Sequence, residues 1–331
     1  MIRLALFVLA LLHGTSAMAA VGFQWASAPD PNGQPLQVAI WYPTDVRPAF
    51  KQIGPFQMNV AMDASVKGQN HALIVMSHGT GGMALNSYDT AMALAEAGFI
   101  VAAVTHAGDN YQDHSVSFTK RNFIRRPAQV SRVIDFMLFG WPSHSVIDPH
   151  RIGVLGHSAG GATALVIGGG VGDWQRALDY CRTHPDDWGC TRARAAGTSE
   201  AQDPTEKIAG HDKRVRALVL AAPALASIFA PSGLSAVTVP VQLWVGQRDD
   251  IVPDAAQVRT LLPRAPDYHL VANAGHFAYL APCNEILQSA APEICVDPKG
   301  FDREAFLRTF QRQVIAFYRK ALGSKQNAMI R

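Results

Sequence analysis

The segment RIGVLGHSAGGATAL, residues 151–165, constrains the fold more than any other stretch of the chain. An apolar run leads into Gly156, His157 and Ser158, and a run of small residues follows Gly160 and Gly161. The spacing G-x-S-x-G predicts a serine on a strained strand-to-helix turn, with its hydroxyl pushed into the open. Glycines two before and two after it leave room for strand and helix to approach. A plain glycine turn would use the same residues, so the rest of the chain must decide.

That chain alternates. HALIVMSHG (71–79), FIVAAVTH (99–106), VRALVLAAP (215–223), VPVQLWVG (239–246) and YHLVANAG (268–275) are short apolar runs. Such runs read as strands buried on both faces of a parallel sheet. LQVAIWYP (36–43) is a further strand, rich in β-branched and aromatic residues. Helical spacing of apolar residues marks 87–98, 127–140, where Pro127 reads as the first turn, and 303–322. Alternating strands and helices predict an α/β fold, a mostly parallel central sheet with helices on both faces. A chain of 331 residues can bury one large core of this kind. Residues 173–214 break the rhythm, being polar and charged. They are expected to form an insertion, a lid over the carboxyl edge of the sheet, with Trp174, Tyr180 and Trp188 as its apolar underside.

The first 19 residues read as a secretory signal peptide. Arg3 precedes an apolar core, Leu4 to Leu12, and Ala17, Met18 and Ala19 offer a cleavage site before Ala20. The core is too short to span a bilayer. Residues 20–331 are then one exported domain, periplasmic or secreted, without stable membrane insertion after cleavage. In an oxidising compartment the four cysteines read as disulfides. Of three connectivities, Cys181 with Cys190 and Cys283 with Cys295 need the least chain rearrangement. Neither pair has the spacing of a zinc site, and no metal or cofactor is expected. The formal charge of +3 is small and scattered, which argues against nucleic acid as a partner.

Catalysts in such sheets gather at the carboxyl ends of strands. Ser158 is one candidate. VGQRDDIVP offers Asp249 or Asp250, and AGHFAYL offers His276. Serine needs a base within hydrogen-bond reach, imidazole titrates near neutrality, and a carboxylate fixes the imidazole tautomer. The order serine, acid, histidine is that of one hydrolase fold. SHGTGG (77–82) follows the strand that should supply an oxyanion donor, with Thr80 the candidate beside the backbone N–H of Ala159. His78 and His157 read as structural. His106 and Asp109 are candidates to line the pocket, as are Leu225, Ile228 and Phe229, although an ordinary core segment is the more natural place for those last three.

On WYP, SHGTGG, LAEAGFIVAAVTH and GHSAGGATAL, the sequence resembles the α/β-hydrolase superfamily, and within it the dienelactone hydrolase-like group that shares motifs with platelet-activating-factor acetylhydrolases. The resemblance spans most of the mature chain. It implies Ser158 as nucleophile, Asp249 as acid through the spacing after Gly246, His276 as base, and Thr80 and Ala159 as oxyanion donors. Dienelactone hydrolases proper use cysteine where this chain has Ser158, which favours simple carboxylic esters over lactones. The expected activity is therefore an acyl-serine ester hydrolase on a small or lipid-like ester. A thioesterase or peptidase on the same triad, and a non-catalytic binding protein on the same fold, are the rivals.

Overall fold

The computed structural model describes residues 20–31, 33–197 and 206–323. The signal-peptide segment lies outside them, as do residues 198–205 of the insertion. Ten strands form one sheet in the order β10-β9-β8-β7-β5-β6-β2-β1-β4-β3. Six of them, β5 (His71–Ser77), β6 (Ile100–Val104), β7 (Ile147–His157), β8 (Val215–Ala221), β9 (Val241–Gly246) and β10 (Asp267–Val271), pair in parallel. Every residue of β6 and β9 is buried. Sequence shows this directly, because a strand covered on both faces needs no polar alternation.

The other edge is mixed, with β1 and β4 parallel and the remaining pairs antiparallel, and it is less legible. β1 (Ala20–Ala28) pairs antiparallel with β2 (Leu36–Thr44), and β2 pairs antiparallel with β6. β3 (Ala49–Ile53) and β4 (Phe56–Met62) form a terminal hairpin. Four of the five residues of β3 are exposed, so no apolar pattern announces it.

The crossovers fix which helix covers which face. From β5 the chain steps to β6 through α1 (Tyr88–Glu96), then back across to β7 through α2 (Lys120–Asp135). Right-handed crossovers in opposite directions lie on opposite faces. α1 accordingly packs with α8 (Arg303–Ala321), while α2 packs with α3 (Ala159–Ile167). α2 begins seven residues before Pro127, which sits inside it. Thr119 caps that start, its hydroxyl accepting from Asn122 N–H at 3.1 Å. Beyond Asp135 the chain continues as a π-type turn, Phe136–Gly140. The insertion carries α4 (Trp174–Thr183) and α5 (Trp188–Ala195), each capped by an aspartate, Asp173 and Asp187. α6 (Val258–Leu261) and α7 (Glu285–Ala290) are short connections.

Both expected cysteine pairs are bonded, Cys181 to Cys190 and Cys283 to Cys295. No helix among the described residues is long and apolar enough to cross a membrane. Ile228 and Phe229 are core residues, 0% and 1% exposed, and of that trio only Leu225 reaches the pocket described below.

Candidate active site

Ser158 follows the last residue of β7 and precedes the first of α3. Its backbone sits at φ 55°, ψ −119°, a conformation that serine adopts only under constraint. Two neighbours hold it there: Ser158 N–H donates to Ala221 at 3.0 Å, and its carbonyl accepts from Ala224 N–H at 3.0 Å. A Cβ on Gly156 would lie 2.0 Å from the carbonyl oxygen of Gly160, so the turn closes only over glycine. The serine is less open than its turn suggests. It is 9% exposed, because the insertion and the 77–82 loop converge over it.

His276 arrives after β10 and Asp249 after β9. His276 Nε2 stands 2.9 Å from Ser158 Oγ, and Nδ1 stands 2.9 Å from Asp249 Oδ2. Asp249 Oδ1 accepts from the N–H groups of Ile251 and Val252 at 3.1 and 3.0 Å. Burial alone would raise the Asp249 carboxyl. Its bond to His276 and these two amides outweigh that and hold it below the ordinary value. An ionised Asp249 requires the Nδ1–H tautomer, which leaves Nε2 bare to accept the serine proton. Asp250 is exposed and turned outward.

Beside Ser158 stand Thr80 and Ala159. Among the described residues, neither backbone N–H has a protein acceptor. Two unspent donors flanking a buried hydroxyl suit an oxygen that gains negative charge.

The pocket over Ser158 is a cavity of about 140 Å³. Its walls are largely apolar and include Phe118, Phe123, Trp174, Tyr180, Trp188 and the Cys181–Cys190 bridge. Trp174 packs on Phe123 with centroids 6.0 Å apart, and Trp188 on Phe118 at 5.7 Å. The insertion is thus seated on the body through two aromatic pairs. Two wall residues are acidic, Asp187 and Asp254. Asp254 is buried, accepts from Ser227 N–H at 2.9 Å, and has its carboxyl raised by burial and then by nearby Asp187.

His106 and Asp109 are not in that pocket. Both are fully buried behind the 77–82 loop, where they hydrogen-bond to Ser77, Gly81 and α2. His78 and His157 are also buried and neutral. Nε2–H of His157 donates to the His276 carbonyl at 3.0 Å, and burial, then the neighbouring His276, pushes its pKa down to about 3. His78 is pushed down to about 3 by burial and then by Arg126. Arg126 itself carries no signal in the sequence, since a guanidinium on an amphipathic helix ordinarily faces water. Among the described residues no three His, Cys, Asp or Glu side chains gather where they could hold a metal.

A ferulic acid esterase from Streptomyces cinnamoneus superposes on this architecture with a TM-score of 0.64, covering 93% of this chain and 91% of that one. The chain has the α/β-hydrolase fold. At 17% identity the likeness extends to the fold alone. No family model and no curated protein matches the sequence.

Proposed function

We propose that this chain is an exported serine hydrolase of carboxylic esters, working through an acyl-serine intermediate. The observation that carries the reading is the continuous chain Asp249–His276–Ser158, with both bonds to the imidazole at 2.9 Å. The unspent N–H groups of Thr80 and Ala159 support it. So do the esterase activity of the Streptomyces neighbour and, for the closer placement near dienelactone hydrolase-like proteins, the motifs around Thr80 and Ser158. The two disulfides are compatible with export.

In this mechanism Ser158 Oγ attacks the ester carbonyl carbon while its proton passes to His276 Nε2. The carbonyl oxygen becomes an oxyanion held by Thr80 and Ala159 N–H. Collapse breaks the bond to the leaving oxygen, which takes the proton from Nε2, and the alcohol departs. Water then repeats the sequence on the acyl-serine, losing its proton to His276 and releasing the acid. Asp249 stabilises the imidazolium formed in each half without itself taking the proton.

The pocket limits the substrate. An apolar cavity of about 150 Å³ accommodates one benzene, so a cavity of about 140 Å³ fits a single ring or a short acyl chain. Residues 173–214 act as the lid that closes it. Fluorophosphonate labelling of Ser158 tests the mechanism. Hydrolysis of esters of increasing acyl length, beside a thioester and a peptide, tests the class. Failure to label, or faster cleavage of the peptide, overturns the proposal.

A further inference from the structure

Behind the 77–82 loop lies an ion pair that the ester chemistry does not touch. Arg126 Nη1 and Asp109 Oδ2 are 2.6 Å apart, and both side chains are 0% exposed. A buried pair of this kind is a poor way to stabilise a fold, because removing both charges from water offsets most of their attraction. Its partners suggest what else it does.

Three consecutive peptide units run through the loop. The first carries the His78 carbonyl, which accepts from Arg126 Nη2. The third carries Gly81 N–H, which donates to Asp109 Oδ1 at 3.0 Å. Between them lies the peptide of Gly79 and Thr80. Its carbonyl is occupied by Gly82 N–H at 3.1 Å and His78 Nδ1–H at 2.6 Å. Its N–H, that of Thr80, has no acceptor among the described residues. The two charged side chains therefore grip the units on either side of a free donor. We propose that the Asp109–Arg126 pair positions the Thr80 oxyanion donor by clamping its flanking peptides, an inference that rests on the ester hydrolase reading.

The surroundings suit a clamp. Asp109 is saturated, with Gly81 N–H and Ser117 Oγ on one oxygen and Asn122 Nδ2 and Arg126 Nη1 on the other. Burial would raise this carboxyl, yet Arg126, Ser117 and Asn122 together hold it below the ordinary value. Asn122 and Arg126 both project from α2, so the loop is referenced to a helix rather than to another loop. A second layer fixes the base of the loop. Gln129 Nε2 points to the Ala107 carbonyl, so its Oε1 accepts from His106 Nδ1–H at 2.8 Å. His106 Nε2 is then the acceptor for the Ser77 hydroxyl at 2.8 Å. Charge-assisted bonds are the stronger kind, and the loop has no ladder of its own to hold its peptides.

Arg126→Lys keeps a cation for Asp109 but cannot fork to the His78 carbonyl. Asp109→Asn keeps an acceptor for Gly81 but turns an amide donor toward Arg126 and Asn122. Both are to be compared with the wild type for kcat and KM on a short p-nitrophenyl ester, for affinity toward an alkyl boronate whose serine adduct places an anionic oxygen between the donors, and for folding by circular dichroism. A misplaced oxyanion donor predicts a fall in kcat on the order of 100-fold, a parallel fall in boronate affinity, and a KM within about threefold of wild type. Folded variants with near-wild-type kcat, or with kcat lowered and boronate affinity kept, overturn the clamp. If neither variant folds, the pair serves the fold alone and the proposal is equally overturned. A wild-type protein that fails to react with fluorophosphonate at Ser158 overturns the hydrolase reading instead.

Discussion

A Cβ on Gly160 would lie 1.9 Å from the carbonyl oxygen of Ser77, and 2.9 Å from that of His78. The first turn of α3 therefore rests directly on the end of β5, with backbone against backbone. The turn that presents Ser158 and the loop that presents Thr80 are one mechanical unit. Gly160→Ala should push them apart, costing about 1–3 kcal/mol of stability as an overpacked site and most of the esterase activity. Urea unfolding and kcat measured together check this. A variant with both unchanged would show that the contact is not tight.

Ser158→Ala should remove turnover and spare the fold. Among the described residues the hydroxyl's one hydrogen-bond partner is His276 Nε2, so no other described element depends on it. Loss of a triad serine cost on the order of 10⁶ in kcat in one serine protease. Residual activity close to wild type in a contaminant-free preparation would rule the mechanism out.

Asp249→Asn and Asp250→Asn should separate sharply. The first amide cannot hold the imidazole in the Nδ1–H tautomer, a change worth about 10⁴ in kcat in a comparable triad. Asp250 is exposed, and among the described residues its side chain makes no hydrogen bond or ion pair with the three, so its substitution should leave kcat within about threefold. A larger loss at 250 than at 249 would reverse the assignment.

Much of this arrangement can be read from the chain without coordinates, and the parts that cannot share a cause. β5 to β9 are legible because strands buried on both faces are simply apolar. Ser158 and Asp249 are legible because each follows such a strand, whereas His276 follows β10, an edge strand that is only partly buried despite its apolar run. β3 is invisible because four of its five residues face solvent. The first half of α2 is missed because Pro127 looks like a start, although the helix begins at Lys120 and accommodates the proline inside. Along the chain Arg126 looks like a surface charge and Asp109 like a residue of the pocket wall. Only the fold shows that they meet in the interior, since a long-range pairing leaves no local periodicity.

Stability should fall on mild acidification. His78 and His157 have their pKa values near 3 and His106 lies well below its usual value, so the folded protein keeps all three neutral at pH 5. The unfolded chain protonates them near pH 6.5, so it binds more protons and gains on the folded state as pH drops through that region. Asp89 opposes this, because burial raises its carboxyl to about 6 and the folded state takes up that proton first. Asp254 and Glu96, also raised by burial, act in the same direction as Asp89, and the three histidines set the sign of the slope between pH 7 and pH 5. Urea midpoints from pH 7 to 4.5 measure it. A flat profile would mean that these histidines are protonated in the native state.

The Cys181–Cys190 bridge should govern substrate length rather than fold. It joins α4 to α5 across a sequence separation of nine, which restrains the unfolded chain by only about 2–3 kcal/mol in the entropy model. The helices it joins are anchored to the body at Trp174 and Trp188, through Phe123 and Phe118. Both sulfur-bearing residues also line the cavity beside Ser158. Replacing the two cysteines by serine should therefore leave the sheet's unfolding transition nearly in place while letting α4 and α5 part. A wider pocket favours longer acyl groups, and a looser one excludes water less well from the reacting ester. Activity on the longest esters tolerated should rise relative to the shortest, with kcat on the shortest falling. The ratio of kcat/KM between a two-carbon and an eight-carbon acyl ester reads this out, with circular dichroism as the control for folding. An unchanged ratio in a folded variant would make residues 173–214 a surface excursion, and the aromatic contacts at Phe118 and Phe123 would then serve only to seat it.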